Sequence, residues 1–102
     1  MNRITPIEEK SRAILAATRS AKKGFVYLLC DGSGYWKIGW TQYECEKRIK
    51  ELQCGNPKQL RLIAQIDGSL GDEARLHQRF ASFWIRGEWF RANGAIADAF
   101  KV

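Results

Sequence analysis

The sequence lacks the features that mark membrane-spanning, secreted or zinc-stapled chains. None of its apolar runs approaches the roughly 20 residues that a membrane helix needs, and Met1 to Lys10 carries charges where a secretory signal would be apolar. Its three cysteines and one histidine are widely spaced, with no C-x-x-C pair. This spacing indicates neither a structural zinc site nor a disulfide framework. We therefore expect no membrane partner, reduced thiols and a cytoplasmic location.

Acidic residues are also in deficit. Seventeen Lys and Arg face eleven Asp and Glu, which gives a formal net charge of +6. A domain this basic favours a polyanionic partner such as nucleic acid, although charge alone does not separate a nucleic-acid-binding protein from other basic proteins. The 102 residues are 45% hydrophobic, enough for a small core. The length predicts one compact domain.

The N-terminal segment predicts a helix outside the main domain. Thr5 can cap a helix, Pro6 suits the first helical position, and Glu8 falls where a capping box has its acid. We assign residues 1–22 to an N-terminal helical extension, which could contact a partner protein or a second copy of the chain. Residues 23–102 form the predicted main domain.

The main domain begins with strand patterns. Phe25–Cys30 and Tyr35–Trp40 are short, β-branched and aromatic runs, and the turn residues 31–34 join them into a predicted hairpin. Leu60–Ile66 alternates between apolar and polar residues, which predicts a third strand. Residues 86–90 are predicted to be a loop.

Helix signals follow the hairpin and the third strand. Thr41–Glu44 has the capping-box pattern and predicts a helix to about Cys54. Ser69 and Asp72 predict the start of a helix that spans about Leu70 to Phe83, and Asn93 caps a short last helix.

The helix over 70–83 carries a charged residue in an unexpected place. Glu73, Leu76, His77 and Phe80 lie at i, i+3, i+4 and i+7, which is one helix face. An unpaired charge on a face that should meet the core is costly. Glu73 is therefore either a metal-binding or acid–base carboxylate at the floor of a cleft, or a boundary residue paired with a surface arginine.

Three further residues have both a structural and a chemical interpretation. Tyr27 lies in an apolar strand, as core tyrosines do, and Lys37 lies between two tryptophans, where a solvent-facing strand lysine is the simplest interpretation. Arg48 falls on a helix dense in charge, typical of a solvated face. A guanidinium is nevertheless the side chain best suited to bind a phosphate with two parallel hydrogen bonds.

Taken in order, these motifs resemble the GIY-YIG nuclease family. The resemblance is closest to a phage and bacterial subgroup whose second motif reads Lys-Ile-Gly followed by Thr and whose last motif reads Glu-Trp-Phe. It covers about Gly24 to Phe100. The matching segments are Phe25 to Tyr27, Lys37 to Gly39 with Thr41, Leu52 to Pro57, Glu73 to His77, and Glu88 to Phe90.

The resemblance implies an α+β fold, a small three-stranded antiparallel sheet flanked by helices, with an extra N-terminal helix. It also implies an endonuclease that hydrolyses DNA phosphodiester bonds with one divalent ion, Mg²⁺ or Mn²⁺. Such an ion prefers carboxylate oxygens and can lower the pKa of a bound water. The alternative is a catalytically inactive DNA-binding module of the same fold, which holds DNA through Lys and Arg contacts to the backbone.

The resemblance also assigns roles to individual residues. Glu73 would hold the metal, Tyr27 would position or deprotonate the attacking water, and Arg48 would stabilise the phosphate. Lys37 stands where the family normally has its second tyrosine, so it would hold phosphate or lower the pKa of Tyr27. His77 is a proton carrier, a ligand partner or a satisfied core histidine. The predicted nucleic-acid-binding residues are Lys37, Thr41, Lys47 and Arg48.

Overall fold

A computed structural model describes residues 22–101 of the chain. They form a five-stranded antiparallel sheet, three α-helices and a single 3-10 turn at Ala81–Phe83. The strands are β1 (Gly24–Cys30), β2 (Tyr35–Thr41), β3 (Arg61–Gly68), β4 (Trp84–Arg86) and β5 (Trp89–Arg91). The helices are α1 (Cys45–Gln53), α2 (Leu70–Arg79) and α3 (Gly94–Ala99).

The first hairpin lies at the centre of the sheet, whose strand order is β3-β1-β2-β5-β4. β1 pairs with β2 on one side and with β3 on the other. The strands predicted over residues 25–30 and 35–40 are confirmed, each extended by a single residue. The third predicted strand is confirmed and runs to Gly68.

The prediction of a three-stranded sheet was wrong, because residues 84–91 form a second hairpin rather than a loop. Its strands β4 and β5 have three residues each, which is too short for an alternating pattern to be recognised. Gly87 turns the chain with a φ of 53°, a conformation that glycine adopts without strain. β5 then pairs with the edge of β2, where Phe90 lies opposite Trp36.

The two faces of the sheet are packed differently. The closed face is buried beneath side chains from α2, α3 and the residues that follow them. The fully buried part of this core comprises Val26, Leu28, Ile38, Phe80, Phe90, Ile96 and Phe100.

The opposite face, which we call the site face, packs against α1 only in part. Tyr27 and Leu29 contact Cys45 there, with Ile49 and Leu52 beside them. The register places polar and aromatic side chains on the rest of this face. On β1, β2, β5 and β4 the site face comprises Phe25, Tyr27, Leu29, Tyr35, Lys37, Gly39, Thr41, Arg86, Trp89 and Arg91. β3 adds Leu62, Gln65 and Asp67.

The helix starts differ in how well the sequence predicts them. The capping box at the start of α2 is confirmed: Ser69 and Asp72 bond each other's backbone N–H. The capping box before α1 was wrong, since Glu44 is the N-cap and makes no side-chain cap hydrogen bond. The Thr41 hydroxyl instead accepts from the backbone N–H of Tyr43 at 3.2 Å.

The predicted N-terminal helix lies outside the described residues, so its existence and its role as a contact stay predictions. The same holds for the division of the chain into 1–22 and 23–102. Within residues 22–101, no helix combines the length and the apolar character needed to cross a lipid bilayer.

Candidate active site

The first hairpin places a buried phenol over a glycine. Tyr27 lies in the middle of β1 with 1% of its surface exposed, directly opposite Gly39 of β2. A Cβ atom at Gly39 would collide with the ring and the hydroxyl of Tyr27. The glycine of the Lys-Ile-Gly motif therefore leaves the space that the tyrosine ring occupies.

Helix α1 brings a guanidinium to this phenol. The Arg48 guanidinium lies near the Tyr27 hydroxyl, and the interaction with Tyr27 raises the pKa of Arg48. Arg48 Nη1 also donates a hydrogen bond to Glu51 Oε2 at 3.4 Å. Burial raises the pKa of Tyr27 to about 12, the nearby Glu88 carboxylate adds to the increase, and Arg48 opposes it. With this pKa, Tyr27 keeps its proton at neutral pH.

Next to the phenol is a group of potential metal ligands. Glu73 and His77 lie one turn apart on α2, which puts them on one face, and each has 1% of its surface exposed. Glu88, from the turn between β4 and β5, joins them. Ligand atoms of the three side chains all lie within 4.8 Å of one another. We call Glu73, His77 and Glu88 the ligand cluster.

The histidine of the ligand cluster is oriented by the sheet. His77 Nε2 lies 2.9 Å from the carbonyl oxygen of Ile38, and its ring meets Phe90 edge-on with centroids 4.9 Å apart. A carbonyl oxygen can only accept, so Nε2 carries the proton, and a neutral ring then has its lone pair on Nδ1. Histidines that bind metals are commonly fixed by such a bond to a backbone carbonyl.

The donor set of the ligand cluster fits a divalent ion. Two carboxylates supply the oxygen ligands that Mg²⁺ and Mn²⁺ prefer, and one imidazole supplies a nitrogen that Mn²⁺ accepts readily. The sequence predicted Glu73 alone as the metal ligand. The structure adds His77 and Glu88 as candidate ligands.

Lys37 connects the ligand cluster to the open part of the site face. Its Nζ lies 3.2 Å from Glu88 Oε1 and 5.8 Å from the centroid of the Trp89 ring. The structure thus brings Lys37 together with the four other predicted catalytic residues. These four are Tyr27, Arg48, Glu73 and His77.

Glu88 is the residue that sequence reasoning missed. It belongs to the Glu-Trp-Phe motif, but it was given no role because residues 86–90 were predicted to be a loop. Its position depends on the β4–β5 hairpin and on the backbone bond from Ile38 N–H to Glu88 O at 3.1 Å. A charged residue just before an aromatic strand is the signal that was available.

Two of the predicted nucleic-acid-binding residues, Thr41 and Lys47, are not beside the ligand cluster. Thr41 is 7% exposed, and its hydroxyl is occupied by the Tyr43 N–H. Lys47 Nζ lies 5.5 Å from the centroid of the Tyr43 ring and lines a separate groove with Phe25 and Gln42. These contacts give neither residue a place beside the ligand cluster.

Fold and site define a small α+β domain whose antiparallel sheet carries a carboxylate–imidazole cluster beside two cations. The T5orf172 domain family matches residues 24–101, so the chain belongs to the T5orf172 domain family. The identification with the GIY-YIG family was wrong, because the family that matches is a distinct one; the short motifs that suggested it are each too brief to decide between families. The comparison with curated proteins found no match, and neither did the comparison with solved structures.

Proposed function

We propose that this domain is a metal-dependent endonuclease that hydrolyses DNA phosphodiester bonds. The observation that carries the proposal is the convergence of the ligand cluster, the Tyr27 phenol and two cations, Lys37 and Arg48. Buried carboxylates are rare unless they are paired or bind a cation. Cations and a metal site side by side are the groups that stabilise a phosphate as it gains charge.

The ligand cluster would hold one divalent ion, Mg²⁺ or Mn²⁺. Such an ion, when bound, lowers the pKa of a coordinated water and polarises phosphate oxygens. The protein's own contribution is to fix the ligands on rigid elements. Glu73 and His77 lie on α2, and Glu88 is held by its backbone bond to β2.

The cations would hold the phosphate. Arg48 lies beside Tyr27 and pairs with Glu51 at 3.4 Å, and the other N–H groups of its guanidinium would bind phosphate oxygens. Lys37 pairs with Glu88; with Glu88 serving as one of the ligands of the ion, the Lys37 ammonium would be left to bind a phosphate oxygen. Both charges are then in place before negative charge develops.

Tyr27 would orient the attacking water or a phosphate oxygen. Its pKa of about 12 keeps the hydroxyl protonated at neutral pH, so the phenol donates a hydrogen bond and does not itself remove the proton from water. Of the two roles that the sequence suggested for Tyr27, this geometry supports positioning.

The proposed partner is DNA, and the proposed setting is the cytoplasm. The chain's charge of +6 favours a polyanion. Cys30 and Cys45 are buried and free, and Cys54 is exposed and free, a state that suits a reducing compartment.

The test is cleavage of supercoiled plasmid by wild type, Glu73→Gln and Glu46→Gln, each with Mg²⁺, with Mn²⁺ and with a chelator. Glu46 is an exposed glutamate on α1, so its variant controls for the loss of one negative charge. We expect nicking or linearisation by wild type and Glu46→Gln only when metal is present, and none by Glu73→Gln. If wild type retards the plasmid on a gel but never cuts it, the inactive DNA-binding module is the correct function.

A further inference from the structure

The site face continues beyond Lys37 as an open surface. β2, β5 and β4 place Tyr35 opposite Arg91, Lys37 opposite Trp89, and Trp89 opposite Arg86. Side chains at directly opposite positions point to the same face of a sheet. Aromatic and cationic side chains therefore alternate across this part of the sheet. We call Tyr35, Trp89, Arg86 and Arg91 the stacking platform.

The stacking platform is accessible among the described residues. Tyr35 is 43% exposed, Arg86 and Arg91 are exposed, and Trp89 is half-buried. Covering the exposed rings of Tyr35 and Trp89 with a ligand would be favourable, because removing apolar ring surface from water lowers the free energy. Tyr35 of β2 and Trp89 of β5 are diagonal neighbours, and such residue positions lie about 7–8 Å apart in an antiparallel sheet.

A groove runs along the platform. Its volume is about 480 Å³, and its floor includes Tyr35, Trp89 and Arg86, within the usual range of ligand pockets, roughly 300–1,000 Å³. Asn56, Pro57 and Lys58 line it from the segment between α1 and β3, with Asp31 and Ile85 at its margins.

The wall of the groove is held by hydrogen bonds from two side chains, Gln53 and Asn56. Gln53 Nε2 donates to the carbonyl oxygen of Lys58 at 2.9 Å, and Gln53 Oε1 accepts from the N–H of Leu60 at 2.7 Å. Asn56 Oδ1 accepts from the N–H of Lys58 at 2.9 Å. Gln53 and Asn56 of the Leu-Gln-x-Gly-Asn-Pro motif thus hold the backbone of Lys58 in place beside the platform.

The charges of the groove complement a nucleic-acid backbone. Lys58 and Arg86 line it, Arg91 lies opposite Tyr35, and Lys37 Nζ lies 5.8 Å from the ring centroid of Trp89, which lines the groove. The one acidic residue that lines the groove, Asp31, has its carboxylate engaged by the N–H and hydroxyl of Ser33. Aromatic rings alternating with cations on an open sheet face are the arrangement that binds unpaired bases by stacking.

We propose that the stacking platform and its groove bind an unpaired stretch of DNA that adjoins the phosphate to be cut. This inference rests on the proposed function and names its substrate class: DNA with a single-stranded segment, such as an overhang, a flap or a gap. The bases must be unpaired because a duplex covers their faces with neighbouring bases, whereas stacking on Tyr35 and Trp89 needs a free face. Continuity through Trp89 to Lys37 directs the strand to the ligand cluster.

The experiment measures binding of the full chain to a fluorescein-labelled 10-nucleotide single strand and to the blunt duplex of the same sequence, in chelator so that no cutting occurs. The variants are Tyr35→Ala and Tyr35→Phe. Tyr43→Ala is the matched control, because Tyr43 is 64% exposed and also lies beside a lysine, Lys47, but lines a different groove. A second reporter is 2-aminopurine within the strand, whose fluorescence falls when the base stacks on an aromatic ring.

We expect the single strand to bind more tightly than the duplex. Tyr35→Ala should weaken single-strand binding about tenfold and abolish the quenching of 2-aminopurine, as expected for the loss of one stacked base. Tyr35→Phe and Tyr43→Ala should stay within about twofold of wild type, since Phe retains the stacking ring and Tyr43 lies outside the platform.

The inference is overturned if Tyr35→Ala binds the single strand as wild type does, or if the duplex binds as tightly with the same dependence on Tyr35. Failure of the proposed function has a different signature. If Glu73→Gln cuts plasmid as wild type does while Tyr35→Ala loses single-strand binding, the platform stands and the assigned catalytic site fails.

Discussion

The two faces of the sheet are built from the same strands but differ in the polarity of their side chains. The closed face is uniformly apolar, and Val26, Leu28 and Ile38 are fully buried there. The site face alternates with it residue by residue, yet it carries Tyr27 and Lys37 at the positions between those core residues. One face contributes stability through burial, and the other holds polar groups in fixed positions.

The comparison shows how a small domain can bury charged groups without losing its fold. Glu73 and His77 are as buried as the core itself, but they lie beside the edge of β2 just beyond its pairing with β5. The apolar stripe of the same helix, Leu76 and Phe80, packs into the closed face. α2 therefore serves both the core and the ligand cluster, and mutations should separate the two functions.

The largest expected effect is loss of cleavage without loss of stability. Glu73→Gln keeps the size of the side chain and removes its charge, so we expect the cleavage rate to fall at least about 1,000-fold, which corresponds to about 4 kcal/mol in the barrier. The free energy of unfolding should not fall, because a neutral amide is less costly to bury than a carboxylate. Cleavage kinetics and urea denaturation measure the two quantities. A large loss of stability would place Glu73 in the core rather than the site.

The closed face should show the opposite pattern. Ile96 is fully buried in the core at α3, so Ile96→Ala should lower the free energy of unfolding by about 3 kcal/mol through lost burial and a cavity. At a temperature where the variant is folded, its affinity for the single-stranded oligonucleotide should be unchanged. A selective loss of affinity would show that the faces are coupled.

A substitution on the site face tests whether the Tyr27 ring needs the space beside Gly39. Gly39→Ala puts a methyl group where the Tyr27 ring lies, so we expect unfolding to become easier by about 2 kcal/mol, as for an overpacked core. Cleavage should fall as well, because the displaced ring pulls away from Arg48. Gly55→Ala is the control, since a Cβ there meets nothing within 4 Å. Normal activity in Gly39→Ala would remove Tyr27 from the catalytic residues.

The smallest effect concerns the start of α2 and its dependence on pH. The backbone N–H of Ser69 donates to Asp72, and this bond, with the Arg75 ion pair, lowers the pKa of Asp72 below its ordinary value of 3.8. A lowered pKa in the folded state means that the carboxylate stabilises the fold above pH 3.8 and loses that contribution as the pH falls below it.

The corresponding measurement is the unfolding midpoint of wild type and Asp72→Asn at several pH values. Wild type should be more stable by up to about 1 kcal/mol near neutral pH, and the gap should close near about pH 3. Asp67→Asn, at an exposed aspartate, should show no comparable gap. A constant difference across the pH range would mean that geometry rather than charge sets the contribution of Asp72.

Some elements could be predicted because they are long enough to repeat a pattern. The first hairpin consists of two six-residue β-branched and aromatic runs joined by turn residues, and α2 shows both a capping box and an i, i+3, i+4, i+7 stripe. Because that stripe also contains Leu76 and Phe80, the charge of Glu73 was unexpected on this face of the helix. Tyr27 and Lys37 were found through their motifs.

Other elements could not be predicted because their signals are non-local. β4 and β5 are too short to alternate, and their pairing with the edge of β2 provides their stability. Glu88 joins the ligand cluster only through that pairing, and the stacking platform exists only when the β4–β5 hairpin lies beside β2, which is distant from it in the chain. The wrong family assignment has a related cause, since motifs of three to six residues carry little information about the whole domain.

The sequence by itself determined the local periods, the starts of α2 and α3, the basic charge and the chemical character of the site residues, because each depends on neighbours within about one turn or one strand. The tertiary structure alone decided which of those residues meet. It added two strands, β4 and β5, brought Glu88 to Glu73 and His77, and left Tyr35 and Trp89 on an open face. These outcomes depend on contacts between residues that are dozens of positions apart in the sequence. Hydrogen bonding at the edge of β2 and the packing of α1 and α2 determine which side chains meet.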